Sequence, residues 1–140
     1  MKNLTYILII IIITLLGTPN ILQTKPISKK QAIKVAKNFY QQRAKKRLPR
    51  YHLYEEYEQE NKKKPLLYIV SIKRGGFIIV SGNDALYPVL AYSFENSLSP
   101  KKEPKQFNYV LSMYKKRIIS AYEENIPSTD YIQSQWKKYL

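Results

Sequence analysis

Leu66 to Lys73 and Phe77 to Ser81 are both rich in β-branched and aromatic residues, and only Arg74-Gly75-Gly76 separates them. Glycine reaches positive φ without a steric penalty, so the two runs are expected to close into a tight antiparallel hairpin. Gly82-Asn83-Asp84 makes a second turn, and Val89 to Ser93, reached through Pro88, makes a short strand beyond it. Upstream, Tyr51 to Tyr57 is aromatic-rich, and its glutamates mark a partly exposed edge. Asn61 to Lys64 reads as a polar connection. The expectation is a four-stranded antiparallel meander.

Helical patterns stand on either side of these strands. Ser28 and Gln31 have the spacing of a capping box, in which each side chain satisfies a backbone donor of the first turn. Ala32, Val35, Ala36, Phe39 and Tyr40 then recur at helical spacing. Arg43, Lys45, Lys46 and Arg47 crowd the far end, where positive charge complements the helix dipole, and Pro49 discourages continuation. This predicts one helix over Lys29 to Lys46. After a polar, proline-containing stretch from Phe94 to Lys105, residues Phe107, Val110, Leu111, Tyr114, Ile118 and Tyr122 mark a second helix, ended by Asn125 and Pro127. Ser128 is placed to cap a third, with Ile132, Trp136 and Leu140 along one side. The order is that of an α+β domain: an N-terminal helix, a four-stranded antiparallel β-meander and two C-terminal helices.

The chain begins differently. Lys2 is the first charge and Lys25 the next, and Ile7 to Leu16 is apolar apart from Thr14. Gly17, Thr18, Pro19 and Asn20 interrupt the run. A positive start, an apolar run of about 10 residues and small or turn-forming residues fit a secretory signal peptide, since a spanning helix wants about 20. Residues 1–24 are therefore expected to be a leader and 25–140 an exported domain, periplasmic or secreted. A retained anchor is the alternative. The chain has no cysteine, which removes disulfides and lipid attachment through a thiol.

The catalytic inventory is thin. No thiolate nucleophile is present, and the one histidine, His52, stands on a tyrosine-rich strand. No serine lies in G-x-S-x-G or S-x-x-K, and Gly75-Gly76 lacks the spacing of a phosphate loop. Glu55, Glu56, Glu58 and Glu60 read as a solvated acidic edge in preference to a cation site. No enzyme activity, cofactor or metal is expected. Lys and Arg number 24 against 10 Asp and Glu, a formal charge of +14, which suggests an anionic partner without identifying it. The basic residues are dispersed, and the tyrosines alternate or recur at core spacing instead of forming a stacking platform, which disfavours nucleic acid.

Gly75-Gly76-Phe77-Ile78-Ile79-Val80-Ser81-Gly82-Asn83-Asp84, followed by Pro88-Val89-Leu90-Ala91-Tyr92-Ser93, resembles a signature of the propeptides of streptopain- and interpain-type cysteine peptidases. The same signature occurs in their free-standing propeptide-like inhibitors. Ile27 to Ala32 with Ala36 to Phe39 is similar to that family's first helix, Tyr109 to Ile118 to its helix after the sheet, and Trp136 to Leu140 to its ending. The resemblance covers Ile27 to Leu140. In the proenzymes a linker and a peptidase domain follow; here the chain stops at Leu140, and the expectation is a prodomain acting in trans.

The resemblance implies an inhibitor whose partner is a streptopain-type cysteine peptidase, with no nucleic acid and no small-molecule substrate. In such propeptides the segment entering the post-sheet helix lies at the active-site cleft, and an asparagine there helps hold the catalytic histidine displaced. Aligning Tyr92-Ser93 and the following helix puts Gln106 at that position, flanked by Lys105 and Phe107. Glutamine keeps the amide and is one methylene longer. The plainer possibility for the same residues is that Gln106 caps the helix and Phe107 packs in the core. A different class of function is an exported interaction or surface module that keeps the fold without inhibiting a peptidase. Membrane contact would require the N-terminal segment to remain uncleaved.

Overall fold

A computed structural model of the chain describes residues 23–57, 64–73, 75–98 and 104–140. All but the last two residues of the expected leader lie outside these ranges, as do Glu58, Glu60 and Arg74. Three helices and four strands follow in the order α1 (Lys29–Ala44), β1 (Tyr51–Tyr57), β2 (Pro65–Ile72), β3 (Phe77–Ser81), β4 (Val89–Ser93), α2 (Lys105–Glu123) and α3 (Asp130–Tyr139). The strands form one antiparallel sheet in sequence order. The α+β meander expected from the turn chemistry is the architecture observed.

Local chemistry accounts for the element ends. The Ser28 hydroxyl accepts from the Gln31 N–H while the Gln31 side chain accepts from the Ser28 N–H, so the capping box is complete. Helix α1 stops at Ala44, two residues short of the expected end, because Lys45 takes left-handed φ of 55°. Gly75 and Gly76 have φ of 101° and 104° in the β2–β3 hairpin. At Gly76 a side chain would also stand 2.8 Å from the Ser93 carbonyl oxygen. Helix α2 ends in a Schellman turn: Asn125 is left-handed and the Ile126 N–H donates to the Ala121 carbonyl at 3.0 Å. The cap of α3 is Thr129, not Ser128, for Thr129 Oγ1 accepts from the Ile132 N–H. Ser128 is instead buried, its hydroxyl without a partner among the described residues.

The sheet is covered on both sides. Helices α1 and α3 pack on one face against Tyr68, Val70, Ile78 and Val80. Helix α2 packs on the other against Leu67, Ile69 and Ile79. Successive strand residues point to opposite faces, so burying both makes the central strands apolar at nearly every position. Leu66 to Val70 and Ile78 to Val80 are all buried. Each such side chain contributes about 2 kcal/mol. Polar ends of the buried aromatics find backbone partners: Tyr68 donates to the Ile27 carbonyl at 2.6 Å, and Trp136 Nε1 donates to Leu86 at 2.9 Å.

Glu55 and Glu56 keep the partial exposure expected of this edge and are also ion-paired. Glu55 and Glu56 point to opposite faces of β1 and pair with Lys29 of α1 at 2.8 Å and Lys115 of α2 at 2.7 Å. They tie the edge strand to both helical layers, each half-exposed pair contributing about 0–1 kcal/mol.

Candidate functional site

Two regions carry the residues singled out by sequence: the turn after β3 and the start of α2. The turn is a structural clasp. Asn83 is fully buried, and its Oδ1 accepts from Thr24 Oγ1 and from the Ala85 N–H, both at 2.7 Å. Ser81 Oγ donates to the Asn83 carbonyl at 2.8 Å and accepts from the Asn83 N–H. Asp84 accepts from the Lys25 N–H, and the Ile27 N–H donates to Gly82, so the segment before α1 is stitched along this turn. From the opposite layer the Tyr122 hydroxyl donates to the same Gly82 carbonyl at 2.8 Å. Burial pushes that hydroxyl up to about 12, the Asn83 amide pulling the other way. A side chain at Gly82 would run into the Pro65 carbonyl oxygen. The Ser-Gly-Asn-Asp string thus holds together the chain start, the sheet and α2, a role that its turn chemistry alone did not reveal.

The start of α2 is exposed. Pro104 occupies the N-cap, its carbonyl accepting from Phe107 and Asn108, and no side chain caps the helix. Gln106 therefore is not a capping residue; it lies in the first turn, exposed, next to exposed Lys105. Phe107 is half-buried and meets Phe77 of β3 edge-on at 5.8 Å between ring centroids. The three candidates separate into an anchor and a presented pair: Phe107 fixes the helix start to the sheet, and Lys105 and Gln106 face outward. Residues 99–103, which lead into this turn, are outside the described ranges.

One side of α2 continues the presented surface. Gln106, Tyr109, Val110 and Met113 recur at helical spacing, and the last three are 66%, 42% and 48% exposed. Val110 had counted toward the core stripe on spacing; the core face is instead Leu111, Tyr114, Ile118 and Ala121, with Phe107 at its start. An apolar residue one position off a stripe looks like part of it until the helix is rotated against the sheet. The structure brings Lys105 and Gln106 next to this apolar side, which sequence reasoning had missed. Its signal was the run Tyr109-Val110-Leu111, too wide for one face.

His52 is exposed on β1 opposite Ser71. Among the described residues no three His, Asp or Glu side chains gather as they would to hold a metal ion.

A family model described as Spi protease inhibitor matches residues 24–118, more than half of the chain. The matched span starts at Thr24, which bonds to Asn83, and takes in α1, the whole sheet and α2 as far as Ile118. No curated protein and no solved structure matches the chain.

Proposed function

The chain belongs to the Spi protease inhibitor family, and from that premise we propose that it inhibits a secreted streptopain-type cysteine peptidase in trans, by occupying its active-site cleft with the start of α2. The observation that supports this reading is the division of labour at that helix start. Phe107 is fastened to Phe77, while Lys105 and Gln106 stand exposed at the end of a rigid element. A contact residue held this way loses little conformational freedom on binding. In a cysteine peptidase the thiolate is activated by a histidine within hydrogen-bond reach. The Gln106 amide, offering both a donor and an acceptor, would hold that imidazole away from the thiol. The proposal assigns the chain no chemistry of its own.

The leader belongs to the same reading. Residues 1–24 carry the charge and hydropathy pattern of an export signal, which would deliver the inhibitor to the compartment of a secreted peptidase. Thr24, the last residue of that segment, already bonds to Asn83 of the described domain.

Inhibition assays with candidate streptopain-type peptidases test the proposal. Gln106→Ala is expected to keep the parent's thermal stability and lose about thirtyfold in inhibition, the cost of an interface hot spot of about 2 kcal/mol. Lys105→Ala should move the same way by less. Val80→Ala, a truncation in the core, should instead lower the melting temperature. A folded Gln106 variant that inhibits as well as the parent removes the wedge. If the parent inhibits none of the candidates at micromolar concentration, an exported interaction module takes the inhibitor's place.

A further inference from the structure

The two outer strands of the sheet have different edges. On β1, Glu55 and Glu56 are ion-paired to the helices on either side. Charge is one of the common guards of an exposed edge. Among the described residues strand β4, Val-Leu-Ala-Tyr-Ser, pairs only with β3, and it contains no charged side chain. Tyr87 just before it and Tyr92 within it are 47% and 46% exposed. Hydrogen-bonded positions alternate along an antiparallel ladder. The bonds from Ile72 to Gly76 and from Gly82 to Leu66 direct the even-numbered residues of β3 toward β2. Phe77 and Ile79 therefore face β4 and bond Ser93 and Ala91, which leaves the Tyr92 N–H and C=O directed outward, while the Leu90 carbonyl accepts from the Tyr114 hydroxyl at 3.0 Å.

A groove runs along each side of this edge. One opens toward α2 and is lined by Leu90, Tyr114 and Arg117. The other opens toward α1 and α3 and is lined by Phe39, Arg43 and Tyr139. Arg43 and Arg117 are both exposed at their groove, and no acidic side chain lines either among the described residues. We propose that the outer edge of β4 at Tyr92 is a strand-addition site for an extended, acid-bearing segment of the protease partner. Main-chain bonds would form at Tyr92, and alternate side chains would enter the two grooves. Carboxylates on the added strand would meet Arg43 on one side and Arg117 on the other. A second copy of this chain fits the edge poorly, because each molecule carries a formal charge of +14 and would bring its own two arginines to the seam. The identity of the partner rests on the inhibitor reading; the strand site does not.

The test uses the isotope-labelled chain and two acetylated, amidated hexapeptides, one with two adjacent central glutamates flanked by valines and one with two adjacent central lysines in their place, so that each strand face carries one charge. The glutamate peptide is expected to shift the amide resonances of residues 89–93 and slow exchange of the Tyr92 N–H, with a dissociation constant of about 1 mM. The lysine peptide should do neither. An Arg43→Glu/Arg117→Glu variant with the parent's melting temperature should lose the glutamate peptide. Equal response to both peptides, no response of residues 89–93 at several millimolar, or a dimer in sedimentation equilibrium that Tyr92→Lys dissociates would overturn the site. The partner is tested separately: against a peptidase that the parent inhibits, the double arginine variant should lose at least tenfold. Unchanged inhibition there would overturn the protease as occupant while leaving the Gln106 wedge standing. Failure of the parent to inhibit would fall on the inhibitor reading, with the peptide arm still deciding the strand site.

Discussion

Gly82 and Tyr122 meet at one carbonyl, and their different chemistries allow them to be probed apart. The backbone of Gly82 passes so close to β2 that a methyl group collides with the Pro65 carbonyl. Gly82→Ala is expected to cost about 2–3 kcal/mol, lowering the melting temperature by roughly 10 °C; an unchanged melting curve would mean that β2 and β3 separate freely at this turn. For Tyr122 the sign follows from its raised pKa. The unfolded chain releases the phenolic proton near the ordinary 10.0 and the folded chain only at about 12. Above the unfolded value the unfolded state binds fewer protons, so stability is intact below it and falls as pH rises through this window. Urea midpoints should drop less steeply from pH 10 to 12 in Tyr122→Phe than in the parent. Equal slopes would show that the hydroxyl ionises in the folded chain as it does in water.

At the scale of elements, α2 both covers one face of the sheet and presents the candidate site, and one residue joins the two roles. Phe107→Ala should lower stability by about 2 kcal/mol, because a half-buried ring contributes less than a fully buried one. It should also weaken inhibition by letting the first helical turn move relative to β3, whereas Gln106→Ala affects inhibition alone. Matching losses of stability in both variants would show that Gln106 is a packing residue. The helices and strands themselves were largely legible in the sequence, since capping boxes, glycine turns and spacing operate within a few residues. The boundaries of β1, β3 and β4 agree with expectation, and those of α1 and β2 differ by one or two residues. Assignments that needed a neighbour went astray: Val110 to the core and Ser128 to a cap; the ion partners of Glu55 and Glu56 likewise needed the helices in place.

For the whole molecule, the clasp at the turn after β3 reaches back to Thr24 and Lys25, where the expected leader meets the exported domain. Mass spectrometry of the native protein is expected to find a start between Thr18 and Lys25. An intact Met1 form fixed in a membrane would replace the signal peptide by an anchor. The Thr24–Asn83 contact makes the position of cleavage matter, because a start beyond Thr24 removes one strap of the clasp.

By itself the sequence determined the element order, the antiparallel meander and the family signature, because short turns force neighbouring strands to pair and apolar spacing declares helix or strand locally. Only the tertiary structure decided which helix covers which face, that Asn83 is a buried hub, that Phe107 anchors while Lys105 and Gln106 are presented, and that Tyr92 lies on the outer edge of β4. These depend on contacts that span the chain: Ile27 to Tyr68, Leu86 to Trp136, Asn38 to Tyr139. No spacing rule reaches across 41, 50 or 101 residues, where the partner is chosen by the packing of finished elements.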